Sequence, residues 1–262
     1  MVPPMAQRVA ALYDIHGNLP ALEAVLSEVR QAAVDHVVVG GDIVPGPMMR
    51  ETLALLEQLD VPVQFIRGNC EIAVLSQLSG GAEPAWYRTV PESAKATLRW
   101  QAQQVDPTLQ QLFASWPLTC RVDVRGLGEV LFCHATPRHE NEVFTRLTPE
   151  ERLIPLFEEH GVPLVVCGHT HMQFDRMIGR TRVVNAGSIG MPFGEPGADW
   201  LLLGPGVELR HTSYDLADAA DRIRATSYPE DFAERYVLKP PPAAQMLELF
   251  TALSVGESAG RW

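Results

Sequence analysis

Residues 7–26 read QRVAALYDIHGNLPALEAVL and contain a predicted strand, loop and helix in immediate succession. Residues 7–13 form a short apolar run that ends abruptly at DIHGN (14–18), a composition that is typical of loops. Beyond the loop, leucine and valine recur at helical spacing from Leu19 to Val29. This order of elements is the repeating unit of a parallel α/β sheet.

Two further units of the same kind follow. Residues 36–40 (HVVVG) have the apolar centre of a strand buried on both faces, and GD (41–42) interrupts them before a predicted helix at 48–59. A third predicted strand at 63–66 stops at Gly68-Asn69. Successive strand–loop–helix units predict an α/β fold with a mainly parallel sheet.

The remainder of the chain has a different composition. Residues 72–118 are rich in Gln and Ala, which predicts a helical insertion or cap beside the sheet. From Leu118 onward the sequence is strand-rich, interrupted by a capping-box pattern at 148–151 that predicts a helix ending near 160–161. We therefore expect one domain over 1–238. A proline-linked helix and tail over 239–262 is a candidate dimer or docking element.

Composition narrows the class of protein. The chain has 262 residues, of which 46% are hydrophobic and 20% charged, as in ordinary soluble domains. A formal net charge of −11 argues against binding long nucleic acids. The N-terminus lacks the pattern of a secretory signal, and no run of about 18 apolar residues predicts a membrane span. The cysteines are widely spaced, which favours a reducing cytoplasm over a disulfide scaffold or zinc ribbon: Cys70, Cys120, Cys133 and Cys167.

Potential metal ligands follow the ends of five predicted strands. They are Asp14, His16, Asp42, Asn69, His134, His169 and His171. Sites in parallel α/β sheets form at the carboxyl ends of strands, and carboxylate, amide and imidazole groups suit divalent Mn, Fe, Co and Zn. Within D-x-H and H-x-H, we expect an extended backbone that points alternate side chains toward one centre.

Each of these residues also has an ordinary interpretation. Asp14 could be a turn residue, Asp42 could close a loop, and His134 alone could be a hydrogen-bonded core histidine. Chance would have to place the whole set after strand ends in this order. The combination therefore predicts a metal site, although no single residue does.

The motifs resemble those of the calcineurin-like metallophosphoesterase superfamily. They are DIHGN (14–18), GD (41–42), GNCE (68–71), CHA (133–135) and GHTH (168–171). Together with GDIVPGP (41–47) and NAGSIGMP (185–192), they look most similar to the small prokaryotic phosphodiesterase branch. The resemblance covers residues 7 to about 212. It implies a four-layer αββα fold, in which a two-sheet β-sandwich is flanked by helices.

The resemblance also implies a dinuclear site. Asp42 would bridge two divalent ions (Mn, Fe, Zn or Co, with Mn favoured). The first ion would be held by Asp14, His16, Asp42 and His171, and the second by Asp42, Asn69, His134 and His169. Such a pair generates hydroxide from a bridging water and neutralises phosphoryl charge, which implies hydrolysis of small, possibly nucleotide-derived phosphate esters. His134 counts among both the ligands and the catalytic residues.

The sequence departs from the family pattern after Asn69. Many relatives have histidine at the next position, where this chain has Cys70, either a weaker proton donor or a small buried hydrophobe. Arg138 could clamp a phosphoryl oxygen, and His139 could replace the missing acid. The alternative for both is a solvated loop.

Two other functions compete with hydrolysis of phosphate esters. A non-catalytic binding or scaffold protein, like the metallophosphoesterase-like retromer subunit, would have no physical reason to keep all the ligands. A metallo-β-lactamase-type hydrolase would have a clustered HxHxDH run, which this sequence lacks.

Overall fold

The computed structural model describes residues 5–79, 83–229 and 231–255. Within them, strands form two five-stranded sheets. The first sheet contains, in spatial order, β10 (Val207–Thr212), β9 (Ala198–Leu203), β1 (Val9–Leu12), β2 (His36–Val39) and β3 (Val63–Phe65). The second contains β4 (Thr119–Val124), β5 (Gly128–Cys133), β6 (Leu164–Cys167), β8 (Thr181–Asn185) and β7 (Phe174–Ile178).

Each sheet has a parallel centre. In the first, β1 pairs in parallel with β2 and β2 with β3, as the repeated units predict, while β9 and β10 add antiparallel strands. In the second, β5, β6 and β8 are parallel, with β4 and β7 antiparallel at the edges. The carboxyl ends of the parallel strands therefore carry the loops that hold the candidate ligands.

Helices connect and cover the strands. They are α1 (Leu19–Gln31), α2 (Met49–Glu57), α3 (Asn69–Ser79), α4 (Glu92–Gln103), α5 (Pro107–Ser115), α6 (Glu150–Phe157), α7 (Leu216–Arg224) and α8 (Ala243–Ala252). Short 3-10 helices at Ala85–Thr89 and Glu158–His160 and a π-helix at Ala233–Leu238 complete the set. Among the described helices, none combines the length and apolar character needed to span a membrane.

Strand β1 shows how the layers are packed. Its residues Val9 and Ala11 belong to the core between the two sheets, together with Phe132 and Val166 of the second sheet. The alternate residue Leu12 faces the other way, into a core shared with helices α1 and α2. A strand with both faces buried needs a continuous apolar sequence, which explains VAAL. With α6 packed on the outer face of the second sheet, the predicted four-layer fold is confirmed.

The predicted capping box at 148–151 is wrong. Helix α6 follows Pro149, and no side chain caps its first turn. The hydroxyl of Thr148 instead accepts the backbone N–H of Thr145 (2.9 Å) and donates to the hydroxyl of Ser254 (2.9 Å). A tertiary contact with the C-terminal segment thus replaces the local cap.

Asn18 joins helix α1 to two distant loops. It is fully buried, and its Oδ1 accepts the backbone N–H of Ala21 (3.2 Å), which caps the helix. Its Nδ2 donates to the carbonyl of Gly190 (3.1 Å) and the hydroxyl of Tyr214 (3.3 Å). The side chain therefore fixes the DIHGN loop against residues that are far away in sequence.

We expect Asn18→Ala to lower the free energy of unfolding by about 2–4 kcal/mol, since it removes a cap and leaves buried polar groups unpaired. Asp215→Ala is the matched control, because Asp215 caps α7 through the N–H groups of Ala217 and Asp218 but is exposed. It should lower the free energy of unfolding by about 1 kcal/mol. Urea unfolding measures both, and equal losses would contradict the role of the buried hydrogen bonds.

Candidate metal centre

Most of the candidate ligands have a strained backbone. Positive φ angles occur at Asp14 (51°), His16 (46°), Asp42 (52°), His169 (66°) and His171 (57°), and otherwise, among described non-glycine residues, only at Ala33. Residues with a Cβ rarely adopt this left-handed conformation because Cβ crowds the backbone carbonyl oxygen. Surrounding contacts must hold such residues in place, and positions of this kind concentrate at functional sites.

The expectation of an extended backbone at D-x-H and H-x-H is therefore wrong. Asp14 and His16 are both left-handed, as are His169 and His171, because the chain turns sharply after each strand. Asp14 and His16 still converge on one cluster, which His171 joins. His169 instead lies in a second cluster with Asp42. The H-x-H pair thus serves two centres.

The first cluster consists of Asp14, His16 and His171, all buried. The Nε2 atoms of His16 and His171 are 3.3 Å apart, and Nε2 of His171 lies 3.2 Å from Oδ1 of Asp14. Two imidazole nitrogens and a carboxylate oxygen thus converge on one point, as the ligands of a cation do.

The second cluster consists of Asp42, His134 and His169. Nε2 of His134 lies 3.0 Å from Oδ1 of Asn69 and 3.5 Å from Oδ2 of Asp42. The rings of His134 and His169 have their centroids 5.1 Å apart. The structure therefore brings Asn69 to the same cluster as the other three side chains.

Carboxylates connect the two clusters. Oδ2 of Asp42 lies 4.0 Å from Nε2 of His16 in the first cluster, besides its contact with His134. Oδ1 of Asp14 likewise lies 3.8 Å from Nε2 of His134. This proximity is compatible with the expected bridging by Asp42, which stays a prediction.

Backbone carbonyls orient the histidine rings. Three rings direct Nδ1 at a carbonyl oxygen: His16 at Pro45 (3.3 Å), His134 at Gly40 (2.8 Å) and His171 at Met191 (2.9 Å). A carbonyl can only accept, so these contacts place a proton on Nδ1 and direct Nε2 toward the clusters. This is the arrangement that prepares a histidine to bind a metal.

Two of the buried polar atoms that lack a hydrogen-bond partner belong to the candidate ligands. They are Oδ1 of Asp14 and Nε2 of His169. Nε2 of His171 lies 3.2 Å from Oδ1 of Asp14, but with the proton of His171 on Nδ1 it has none to donate. Such groups are costly to bury unless something compensates them. Divalent cations would satisfy both atoms, so the residues fit a two-metal site.

The electrostatics of the clusters favour neutral ligands at two positions. Burial, together with neighbouring His171, lowers the pKa of His16 to about 4. Burial and neighbouring His134 lower the pKa of His169 to about 3. Burial also disfavours the protonated form of His134, but the carboxylates of Asp42 and Asp14 outweigh the effect of burial and raise the pKa of His134 to about 10. A cation at the second cluster would therefore displace a proton.

Glu71 is a site residue to which the sequence analysis gave no role. It is fully buried, and its carboxylate accepts the backbone N–H groups of Gly68 (2.7 Å), Asp42 (3.0 Å) and Ile43 (2.9 Å). Burial and the charge of Asp42 raise its pKa to about 7. The carboxylate ties the loop after β2 to the loop after β3. The only sequence signal for this role of Glu71 was its position in the GNCE motif (68–71).

Cys70 lies beside the second cluster. The residue is half-buried, and its backbone N–H donates to Oδ1 of Asp42 (2.9 Å). Burial, reinforced by the charge of Asp42, raises the pKa of its thiol. The sulfur therefore carries its proton at neutral pH, and its role as an acid stays a prediction.

Arg138 and His139 are exposed. The guanidinium of Arg138 binds Glu142, with Nε 2.7 Å from Oε1, and Nδ1 of His139 accepts the N–H of Asn141 (3.0 Å). Among the described hydrogen bonds and ion pairs, none joins either side chain to the candidate ligands. Their predicted contacts with substrate stay predictions.

Gly68 allows the close approach of Asp42. A Cβ at this position would lie 2.0 Å from Oδ1 of Asp42 and 2.6 Å from its backbone nitrogen. We expect Gly68→Ala to displace the carboxylate and weaken Mn²⁺ binding by at least about tenfold, measured by calorimetry. Gly206→Ala is the control, because a Cβ there has no neighbour within 4 Å. Unchanged Mn²⁺ affinity in Gly68→Ala would contradict this packing argument.

Comparisons with known proteins agree with this fold. The chain is 25% identical over 250 residues to an uncharacterized protein from Methanocaldococcus jannaschii, covering 88% of this chain and 97% of that protein. A hypothetical protein from Pyrococcus horikoshii OT3 has a similar fold (TM-score 0.70, 22% identity, 87% and 96% of the two chains). So does a metallophosphoesterase from Sphaerobacter thermophilus (TM-score 0.66, 25% identity, 88% and 98%).

The family assignment rests on the sequence match itself. Residues 8–203 match the calcineurin-like phosphoesterase superfamily domain, and this range contains both clusters and every candidate ligand. With the sheets, the clusters and the match in agreement, this chain belongs to the calcineurin-like phosphoesterase superfamily.

Proposed function

We propose that this protein is a dinuclear-metal-dependent phosphoesterase, a phosphodiesterase or phosphatase that hydrolyses small phosphate esters. The observation that carries the proposal is the pair of adjoining buried clusters, each with carboxylate and imidazole groups that can hold one ion. Membership of a phosphoesterase superfamily supports the same reaction class.

The residues that would hold the ions follow from the clusters. Asp14, His16 and His171 would hold one ion, and His134, His169 and Asn69 the other, with Asp42 shared. When bound, two divalent ions lower the pKa of a coordinated water and neutralise charge on the phosphoryl oxygens. Mn²⁺ stays the proposed metal, since carboxylate and amide oxygens are ligands that suit it.

Two other residues would position the shared ligand and protonate the leaving group. The buried carboxylate of Glu71 accepts the backbone N–H groups of Asp42 and Ile43, so that the shared ligand does not shift. The protonated thiol of Cys70, adjacent to Asn69, is the proposed donor to the leaving oxygen. Its sulfur lies 3.4 Å from Nδ2 of Asn69.

A non-catalytic scaffold is less compatible with these clusters. Left-handed backbone at five candidate ligands and unpaired buried atoms at Asp14 and His169 each cost free energy. Nothing in a scaffold function would offset these free-energy costs, whereas the free energy of metal binding would offset them in a metal site.

The remaining expectations are part of the proposal. A net charge of −11 argues for a small substrate over a long nucleic acid. A cytoplasmic location and a homodimer formed through the C-terminal helix stay predictions.

Asp42→Asn should lose both metals, since the shared carboxylate is replaced by a neutral group of the same size. His171→Asn should mainly weaken the binding of the first ion, which Asp14, His16 and His171 would hold. Asp199→Asn is the matched control, since Asp199 pairs with His211 (2.8 Å) outside the clusters and should keep two ions. Metal analysis and hydrolysis of bis(p-nitrophenyl) phosphate test all three. Wild-type protein without transition metal and without activity after Mn²⁺ addition would refute the proposal.

Cys70→His should increase cleavage of alkyl esters by at least about tenfold while changing aryl esters little, because a stronger acid helps poor leaving groups most. Rates across a series of diesters with leaving groups of different pKa measure this. Cys120→His is a control at another half-buried cysteine. Equal changes for all esters in Cys70→His would show that Cys70 only packs.

A further inference from the structure

A cavity of about 210 Å³ adjoins the metal centre. On one side it is lined by His16, Asn69 and Cys70, so it reaches ligands of both clusters and the proposed proton donor. A group held in this cavity is thus beside the place where a phosphate ester would react.

The other walls come from two distant segments. The helical insertion at 72–118 contributes Trp86 and Leu98, and the segment 228–236 contributes Tyr228 and Phe232. The rings of Trp100 and Tyr228 meet edge to face with their centroids 5.3 Å apart, which packs the two segments together. The C-terminal part of this wall lies beyond residue 203, outside the superfamily match.

The described lining is mostly apolar and carries no formal charge. Among the described residues that line the cavity there is no Lys, Arg, Asp or Glu. The hydroxyl of Thr97, one of its polar groups, already donates to the carbonyl of Ala94 (2.7 Å). A second phosphate or a charged group would therefore lose its hydration here without compensation. An aromatic or aliphatic group would gain from leaving water.

We propose that this cavity binds the uncharged aromatic alcohol portion of the phosphate ester, so that the substrates are esters of apolar aromatic alcohols. This inference rests on the proposed phosphoesterase function. The size agrees, since an apolar cavity of about 150 Å³ holds one benzene ring. The metals would recognise the phosphoryl group, and the cavity would select the alcohol.

Two alanines of helix α4 provide a matched test. Ala94 lines the cavity, whereas Ala96 is exposed on the same helix. The same substitution, Ala→Leu, therefore fills the cavity at one position and enters solvent at the other. If Ala94→Leu does not fold, Ala94→Val makes the same test with one carbon fewer.

Binding of 1-naphthol, measured by calorimetry, gives a readout that does not depend on activity. We expect wild-type protein and Ala96→Leu to bind 1-naphthol equally, and Ala94→Leu to bind it at least about tenfold more weakly. In the Mn²⁺-loaded protein, Ala94→Leu should raise KM for bis(p-nitrophenyl) phosphate and leave metal content unchanged.

The outcomes separate this inference from the proposed function. If the protein hydrolyses the diester but does not bind 1-naphthol, or binds it equally well after Ala94→Leu, the cavity assignment is wrong and the phosphoesterase function is not affected. Naphthol binding that depends on Ala94, in a protein inactive with Mn²⁺, refutes the phosphoesterase function and with it the ester assignment. Adenosine binding more tightly than 1-naphthol would overturn the apolar alcohol in favour of a nucleobase.

Discussion

Buried carboxylates that accept backbone N–H groups hold the metal centre together. Asp14 accepts the N–H of His169 (2.8 Å), Asp42 that of Cys70 (2.9 Å), and Glu71 those of Gly68 and Asp42. Each of these bonds joins loops that follow different strands, apart from the one within the Gly68–Glu71 turn. Since charge-assisted bonds of this kind are among the stronger ones in proteins, they can keep the loops in conformations that isolated peptides avoid.

The same buried carboxylates favour the binding of cations at this site. Burial places negative charge where water cannot solvate it, and the carboxylates of Asp42 and Asp14 raise the pKa of His134 to about 10, so that this histidine carries a proton. Divalent ions would replace that proton and satisfy the unpaired atoms of Asp14 and His169. Ions bound at the proposed site would therefore stabilise the folded chain, because the unfolded chain does not assemble the clusters.

In the proposed enzyme, different parts of the chain would carry the chemistry and the selection of substrate. The ligands lie on loops at the strand ends, which the two packed sheets hold in fixed positions. The apolar cavity depends on the helical insertion and on residues beyond 203, packed through Trp100 and Tyr228. Relatives could therefore keep the same reaction centre and differ in the alcohols they accept.

The sequence by itself determined the parallel strand units and the set of candidate ligands, because apolar periodicity and polar loop ends are local properties. The four-layer arrangement was implied only by the resemblance of its motifs to the calcineurin-like metallophosphoesterases. The sequence did not determine the left-handed backbone at Asp14 and His169 or the divergence of the H-x-H pair, since local propensity disfavours such conformations. The role of Glu71 and the contact of Thr148 with Ser254 were also decided only by the tertiary structure. Hydrogen bonds between residues distant in sequence outweigh local preferences at these positions, and no local pattern encodes their partners.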